Sequence, residues 1–269
     1  MHDVLSDYEW AADDAIDTFT APSELVITLS LNHQHYASVL ATPEDLDAWA
    51  LGFALSEGLI TRVEQIEAIN QQQQRFGIQL DLTLPPHLLQ PALEKRRVGT
   101  ATSSCGRCGS ADERLMFEGL LPLPPADLPT GKDWQRLMSA LETHSERGLH
   151  IALGLDQQQT LSWGRDIGRH NALDKLIGKG LRQHQMPQAA LVSSRCSLEL
   201  IQKSVRAGIS CLGTLSYPST LAIETARLCG LNLVCCHRGR RLQLLSRGRK
   251  KTIAPVAPHA NAQTEDKSS

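Results

Sequence analysis

Two cysteines, Cys105 and Cys108, stand three positions apart in the run SSCGRCGS, which otherwise contains small polar residues and one arginine. This spacing suits three kinds of chemistry: a zinc site, a redox disulfide or a nucleophilic thiolate. A closed zinc site needs four ligands, and the sequence has no second cysteine pair at this spacing. A thioredoxin-like pair follows a strand, whereas the preceding residues VGTATSS do not have a strand pattern. The residues therefore favour the nucleophile.

Positive charge close to these cysteines supports that interpretation. Arg107 lies between them, and Arg96 and Arg97 precede them in the sequence. A cation beside a thiol favours the thiolate, which is the reactive form. The alternative is two exposed loop cysteines without a role. Exposed thiols are readily oxidised, which makes two such residues this close together unfavourable unless they have a role. We interpret Cys105 and Cys108 as a reactive pair.

A zinc-deaminase site requires separate consideration, because His144-Ser145-Glu146 matches H-x-E and CGRC supplies C-x-x-C. In those enzymes the H-x-E motif comes first and a proline precedes the cysteine pair. Here the cysteines come first, and Ser104 precedes them. We instead expect His144 and Glu146 at the polar end of a helix.

A second group of polar residues follows several predicted strands. The stretch GRDIGRHNALDKLIGKG, residues 164–180, begins with arginine, histidine and glycine and continues as an amphipathic helix. Free N–H groups at such a helix start, together with positive charge, can bind an anion or a nucleotide. Similar residues follow the next strands, at 193–197, 216–220 and 237–241. A charged helix end and a basic surface turn are the alternatives to an anion site.

The elements that must position these residues form two groups. We predict disordered tails at 1–20 and 254–269 and an N-terminal α+β portion at 21–120 that contains the CxxC loop. In this portion two strands meet at Asn32-His33, a helix follows Thr42-Pro43, and two more strands, 63–70 and 76–84, are joined by a glutamine turn, 71–74. After a proline-rich linker, 121–129, strands and helices alternate through 130–253. This alternation predicts a largely parallel sheet covered on both faces, with ligands at the carboxyl ends of its strands.

Composition limits the classes of partner. The chain has 269 residues, 41% of them hydrophobic and 21% charged, with a net charge of -2. These values are typical of a soluble globular protein and give no overall attraction to nucleic acid or to an anionic membrane. No run reaches the roughly 18 apolar residues of a membrane span, and the acidic start does not have the pattern of a signal peptide. With seven cysteines, an odd number, we expect reduced thiols and a cytoplasmic protein.

The motifs taken together resemble the formate dehydrogenase accessory sulfurtransferase family, FdhD. The resemblance covers roughly residues 20–247 and depends on segments in this order: LGFALSEGLI, SSCGRCG, DIGRHNALDKLIG, SSRCSLELIQKSVRAGI, SYPSTLAIE and HRGRRLQLL. It implies a cytidine-deaminase-like three-layer α/β domain with a smaller N-terminal α+β portion. It also implies no catalytic zinc and a homodimer in the cytoplasm.

The resemblance further implies a role in maturing formate dehydrogenase. Members accept sulfur from a cysteine desulfurase and transfer it to the bis(molybdopterin guanine dinucleotide) cofactor of molybdenum or tungsten. By this resemblance Cys105 carries the persulfide and Cys108 assists. The cofactor site is expected to include His150, Arg169, His170, Arg195, Ser219, Cys236, His237, Arg238, Gly239, Arg240 and Arg241. A non-catalytic chaperone that binds the same cofactor, and a zinc-binding structural module, are the alternatives.

Several positions depart from the family's pattern, and most of them lie at the expected cofactor site. Three charged replacements stand close to His150 and Asp166, and the closing loop has lost one of its paired glycines. These departures leave the cysteine chemistry intact and put in question the affinity for the cofactor, the identity of the cofactor or the client enzyme. The departing residues are Arg107, Glu146, Arg147, Arg165, Ser194, Tyr217 and Arg240.

Overall fold

The computed structural model describes residues 21–99, 117, 119–237 and 241–248. Within these ranges the fold is mixed α/β, with two sheets and six α-helices. The first sheet consists of β1 (Leu25–Leu31), β2 (Gln34–Ala41), β3 (Ala68–Gln74) and β4 (Gly77–Thr83). The second consists of β5 (His150–Leu155), β6 (Leu161–Asp166), β7 (Ala189–Arg195), β8 (Cys211–Ser216), β9 (Asn232–His237) and β10 (Arg241–Ser246). The helices are α1 (Leu46–Ser56), α2 (Pro86–Gly99), α3 (Gly131–His144), α4 (Arg169–Gln183), α5 (Leu198–Arg206) and α6 (Thr220–Leu228).

The first sheet has the strand order β2-β1-β4-β3. The predicted strand pair is confirmed: β1 and β2 are antiparallel, and the turn residues Asn32 and His33 have φ values of 47° and 65°. Two successive positive φ values are typical of the tight hairpin turn that matches strand twist. The predicted helix after Thr42-Pro43 is also confirmed and begins at Leu46.

The prediction of a glutamine turn is wrong. Residues 71–74 belong to β3, which pairs with β4 from Ala68 opposite Thr83 to Gln74 opposite Gly77, and the turn falls at Arg75-Phe76. Val63–Gln65, predicted as the start of that strand, is a short 3-10 helix. Because β3 is an edge strand exposed along almost its whole length, it has no apolar alternation from which a strand could be recognised. Helix α2 was not predicted either.

The second sheet has the order β10-β9-β8-β7-β5-β6 and is mixed, which corrects the prediction of a largely parallel sheet. Strands β7, β8 and β9 are parallel, while β5, β6 and β10 run antiparallel to their neighbours. The reason lies in the connections. A short turn joins β5 to β6, and β10 begins only four positions after the end of β9, whereas helices α5 and α6 cross between the parallel strands.

The second sheet is covered on both faces. Helix α3 packs on one face through Trp134 and Leu137. On the other face a continuous hydrophobic cluster joins Leu212 of β8, Leu176 of α4, Trp49 of α1 and Leu80 of the first sheet. Helix α1 packs directly on α4, so the two halves of the chain share one core. The predicted tails, 1–20 and 254–269, lie outside the described residues. None of the described helices is long and apolar enough to cross a membrane.

Candidate functional site

One edge of the second sheet collects the strand ends that precede helices α4, α5 and α6. The parallel strands β7, β8 and β9 all end there, and β6 ends there as well because its last residue, Asp166, is paired with His150 at the start of β5. We call this edge the rim. Apart from Cys236, all the predicted cofactor-site residues that the structure describes lie at the rim. They are His150, Arg169, His170, Arg195, Ser219, His237 and Arg241.

A buried carboxylate fixes the β6–α4 junction, which presents Arg169 and His170. Asp166 Oδ1 accepts hydrogen bonds from Gly168 N at 2.8 Å and from Asn171 Nδ2 at 3.0 Å. Its Oδ2 lies 2.7 Å from Lys175 Nζ, and both side chains are completely buried. A buried ion pair with this many hydrogen bonds holds one geometry, because each charge would be costly without its partner. The first turn of α4 is therefore rigid.

The exposed side of this junction carries His170 in an ion pair and Arg169, which has no ion pair among the described residues. His170 Nε2 lies 2.8 Å from Glu199 Oε2 of α5, and hydrogen bonding from His170 holds the pKa of Glu199 below its usual value against the effect of burial. The Nε atom of Arg169 is buried and has no hydrogen-bond partner among the described residues. Buried donors are rarely left without an acceptor, so Arg169 Nε is a candidate donor to a group that the described residues do not supply.

His150 provides a test of the positive potential at the rim. Burial lowers its pKa from 6.5, and the charge of Arg169 acts in the same direction. The unfolded chain therefore binds this proton more tightly than the folded one, so the stability contributed by neutral His150 is complete above pH 6.5 and is lost as the pH falls below that value.

We expect an NMR titration of the His150 ring to give a midpoint below pH 6.5. In Arg169→Gln the midpoint should move upward but stay below 6.5, because burial is the larger cause and remains. A wild-type midpoint at or above 6.5 would contradict the assignment of His150 to a desolvated, positively charged site.

Much of the stretch 164–180 stabilises the fold rather than lining the rim. Asn171 accepts from Trp49 Nε1 at 3.0 Å and donates to Leu40 O at 2.9 Å. Asp174 bonds to Ser56 and to Lys203 in the interior. The sequence indicated an anion site along the polar first half of this stretch, but only Arg169 and His170 are left available for one.

The five cysteines that the structure describes are all buried. Burial raises the pKa of Cys196 and of Cys236 to about 12, and it raises the pKa of Cys211, Cys229 and Cys235 as well. Cys236 is 2% exposed and lies within β9, paired with Leu242 of β10, so its thiol does not reach the rim surface. Cys105, Cys108, Arg238, Gly239 and Arg240 lie outside the described residues.

Both flanks of the segment that contains Cys105 and Cys108 are attached at the edge opposite the rim. On one side Lys95 of α2 donates to Glu57 O at 2.7 Å, close to Arg206, where α5 has run from the rim to its far end. On the other side Leu123 N donates to Cys229 O at 2.8 Å, just beyond the end of α6. The described residues that bracket the cysteine segment, Lys95 and Leu123, thus bond at the edge opposite the predicted cofactor site.

Two residues that the sequence analysis named as departures contact each other. Arg165 Nη1 donates to Glu146 Oε2 at 2.8 Å, and both side chains are well exposed. The sequence indicated each of these two residues separately but not the contact between them. It also missed Glu199, which has the appearance of an ordinary surface glutamate on an amphipathic helix.

Comparison with known proteins identifies the class. The sequence model of the FdhD/NarQ family matches residues 22–251, so the chain belongs to this family. A relative from Burkholderia mallei named "Sulfur carrier protein FdhD" is 37% identical over 244 residues, covering 83% of this chain and 86% of the relative. A relative of the same name from Bordetella bronchiseptica is 34% identical over 219 residues, covering 78% of this chain and 79% of the relative.

The fold is similar to that of a solved structure. A crystal structure from Desulfotalea psychrophila, of a protein described as a formate dehydrogenase accessory protein, superposes with a TM-score of 0.63 at 22% identity. The match covers 84% of this chain and 88% of that one. At 22% identity, this similarity shows that the two proteins share a fold and nothing further.

Proposed function

We propose that this protein is a cytoplasmic sulfur carrier that accepts sulfur from a cysteine desulfurase as a persulfide on Cys105 and transfers it to a bis(molybdopterin guanine dinucleotide) cofactor destined for formate dehydrogenase. Its kinship with proteins named as sulfur carriers supports the general role. In this proposal Cys108 assists Cys105, the cofactor is the substrate, and the protein acts as a sulfurtransferase. A homodimer is the proposed assembly.

The burial of the five described cysteines is the observation that carries the assignment to Cys105. A sulfur carrier needs an accessible thiol that ionises near neutral pH. Each described cysteine is buried, and burial raises its pKa, so each is protonated and shielded from a partner protein. Of the seven cysteines in the sequence, this leaves Cys105 and Cys108.

The loading step needs no external oxidant or reductant. The thiolate of Cys105 attacks the terminal sulfur of the desulfurase persulfide, so that a new S–S bond forms on Cys105 while the donor's S–S bond breaks. The electron pair of the broken bond leaves with the donor cysteine as its thiolate. A thiolate at Cys105 is favoured by the charge of Arg107, its near neighbour in sequence.

The rim suits the guanine dinucleotide part of the substrate. Diphosphate is an acceptor-rich anion, and the rim offers the orphaned Nε of Arg169, the side chains of Arg195 and Arg241, and the start of α6, where Ser219 is the N-cap. Arginine forks bind phosphate oxygens in pairs, which gives orientation as well as affinity. We propose that these residues, with His150, His170, His237 and the closing segment 236–241, hold the substrate.

A non-catalytic cofactor chaperone is the second candidate. The observation that favours it is the position of the cysteine segment's flanks, which are attached at the edge opposite the rim. In this alternative the rim binds and delivers the cofactor while the cysteines only contact a partner.

Intact-mass spectrometry tests the sulfur-carrier proposal. The full chain is incubated with a cysteine desulfurase and cysteine, and sulfur adducts of about 32 Da each are counted. We expect adducts on wild type and on Cys229→Ala, which serves as the matched control at a buried cysteine, and none on Cys105→Ala. Adducts that persist on Cys105→Ala would overturn the assignment. Absence of adducts from wild type, with guanine nucleotide still bound, would favour the chaperone.

A further inference from the structure

Residues 1–20, which we call the acidic segment, carry a charge opposite to that of the rest of the chain. They contain six of the 29 acidic residues and none of the 27 lysines and arginines, so residues 21–269 are net positive. The acidic residues of the segment are Asp3, Asp7, Glu9, Asp13, Asp14 and Asp17. A block of one sign close to a terminus is typical of a segment that binds an oppositely charged surface. The acidic segment is therefore attracted to any basic surface within its reach.

The chain enters the described fold beside the rim. A Cβ atom at Gly148 would stand 2.7 Å from Pro22 Cγ, so Pro22 packs on the residue two positions before His150. His150 begins β5 and is paired with Asp166, the last residue of β6, at the rim. Pro22 also lines a small cavity together with Arg165. The acidic segment thus starts from the end of the rim that β5 and β6 form.

The rim offers positive charge that its own carboxylates do not pair. Glu199 is paired with His170, and Asp166 is paired with Lys175 in the interior. Three rim arginines form no ion pair within the part of the chain that the structure describes; they are Arg169, Arg195 and Arg241. The guanidinium group binds a carboxylate through two parallel hydrogen bonds, which makes arginine a good partner for aspartate and glutamate.

The acidic segment is long enough to reach every strand end of the rim. Six strands at a spacing of about 4.8 Å make this edge about 24 Å wide. A flexible chain of 20 residues has a root-mean-square end-to-end distance of about 25 Å and extends to about 66 Å. Because the segment is tethered beside the rim, its local concentration there is on the order of millimolar, so that weak charge pairs suffice. Such attraction does not require the segment to fold, which agrees with the prediction that residues 1–20 are disordered.

We propose that the acidic segment binds to the arginines of the rim and competes there with an anionic substrate. The inference rests on the proposed function in one respect, namely that the rim is the substrate site. A ligand must displace carboxylates from the arginines, so an anion with several charges, such as a diphosphate, is favoured over a monovalent one. The acidic segment thereby restricts the rim to highly charged ligands.

Calorimetry with inorganic pyrophosphate on the full chain tests the competition. A triple variant, Asp13→Asn with Asp14→Asn and Asp17→Asn, removes half of the segment's acidic residues. It should bind pyrophosphate about fivefold more tightly than wild type at about 0.01 M salt, the combined effect of losing a few weak, exposed ion pairs. The gain should shrink at about 0.15 M salt, because the screening length falls from about 30 Å to about 8 Å.

A second triple variant is the matched control for net charge. Glu64→Gln with Glu67→Gln and Glu94→Gln removes the same number of charges at exposed positions away from the rim. We expect this control to bind pyrophosphate as wild type does. An equal gain in the control would overturn the inference, because net charge and not the acidic segment would then set the affinity.

The ring of His150 reports the contact without any ligand. Burial lowers its pKa, Arg169 and His170 act in the same direction, and Asp166 raises it. Carboxylates of the acidic segment at the rim would raise this pKa as well. The NMR midpoint of His150 should therefore be lower in the triple aspartate variant than in wild type, and unchanged in the triple glutamate variant.

The two readouts separate failure of the inference from failure of the proposed function. Equal affinities and equal His150 midpoints in wild type and the triple aspartate variant would overturn the inference and leave the proposed substrate site in place. If neither protein binds pyrophosphate, the proposed substrate site fails. In that case a lowered His150 midpoint still supports contact between the acidic segment and the rim, and an unchanged midpoint overturns it.

Discussion

Replacement of Lys203 by methionine should lower the free energy of unfolding by about 3–5 kcal/mol, the range found when one partner of a buried ion pair is removed. Lys203 Nζ donates to Asp174 Oδ2 at 2.9 Å, to Glu57 Oε1 at 2.8 Å and to Ser56 Oγ at 2.8 Å. Burial by itself would lower the pKa of Lys203, but Asp174 and Glu57 outweigh it and raise that pKa. Methionine fills similar space and leaves Asp174 without its cation. Urea denaturation measures the change.

A second lysine provides the matched control. Lys179 lies 2.7 Å from Asp45, so the ion pair is as short as that of Lys203, but its side chains are 27% and 45% exposed. Solvent screens exposed pairs, and Lys179→Met should cost no more than about 1 kcal/mol. Equal midpoints for Lys203→Met and wild type would show that the interior ion pair does not stabilise the joint between α1, α4 and α5.

Substitution of Gly178 by alanine should also destabilise the fold, by about 3 kcal/mol, the upper part of the range for overpacked cores. A Cβ atom at Gly178 would stand 1.7 Å from Ala48 O and 2.9 Å from Gly52 N, both backbone atoms of α1. Backbone atoms cannot rotate away as a side chain can. Helices α1 and α4 would have to separate, and the core that joins the two halves of the chain would loosen.

Gly131→Ala is the control for this substitution. Gly131 begins α3, and a Cβ atom there would have no neighbour within 4 Å. Because alanine is also the better helix former, we expect this variant to be as stable as wild type or slightly more so. Thermal unfolding of the two alanine variants side by side separates steric overlap from the general effect of glycine replacement. A Gly178→Ala protein as stable as Gly131→Ala would mean that α1 and α4 are not in close contact.

The local pattern of the sequence was sufficient for most of the second half of the chain. Helices α5 and α6 and strands β7, β8 and β9 are short, amphipathic or apolar, and bounded by glycine, serine or proline, so their periodicity is clear. Strand β3 could not be recognised from its sequence, because an exposed polar strand has no apolar periodicity.

Contacts between distant residues could not be read from the sequence. Asp166 accepts from Thr42 N across 124 positions, and Lys203 donates to Ser56 across 147. A lysine or an aspartate on a predicted helix is ordinarily a surface residue. Its burial requires an oppositely charged partner that offsets the loss of hydration, and that partner is distant in the sequence. For the same reason the sequence indicated Asn171 as part of an anion site, although it bonds to Trp49 in the interior.

By itself the sequence determined which cysteines are candidates for sulfur chemistry, in what order the strand–helix junctions occur, and which family the chain resembles, because these depend on residue type and spacing. Tertiary structure decided which polar residues remain available to a ligand. It placed Glu199 against His170, paired Arg165 with Glu146, and left Arg169 Nε without a partner among the described residues. It also attached the flanks of the cysteine segment at the edge opposite the rim. These features depend on how α1, α4 and α5 pack against the sheet, which local sequence does not specify.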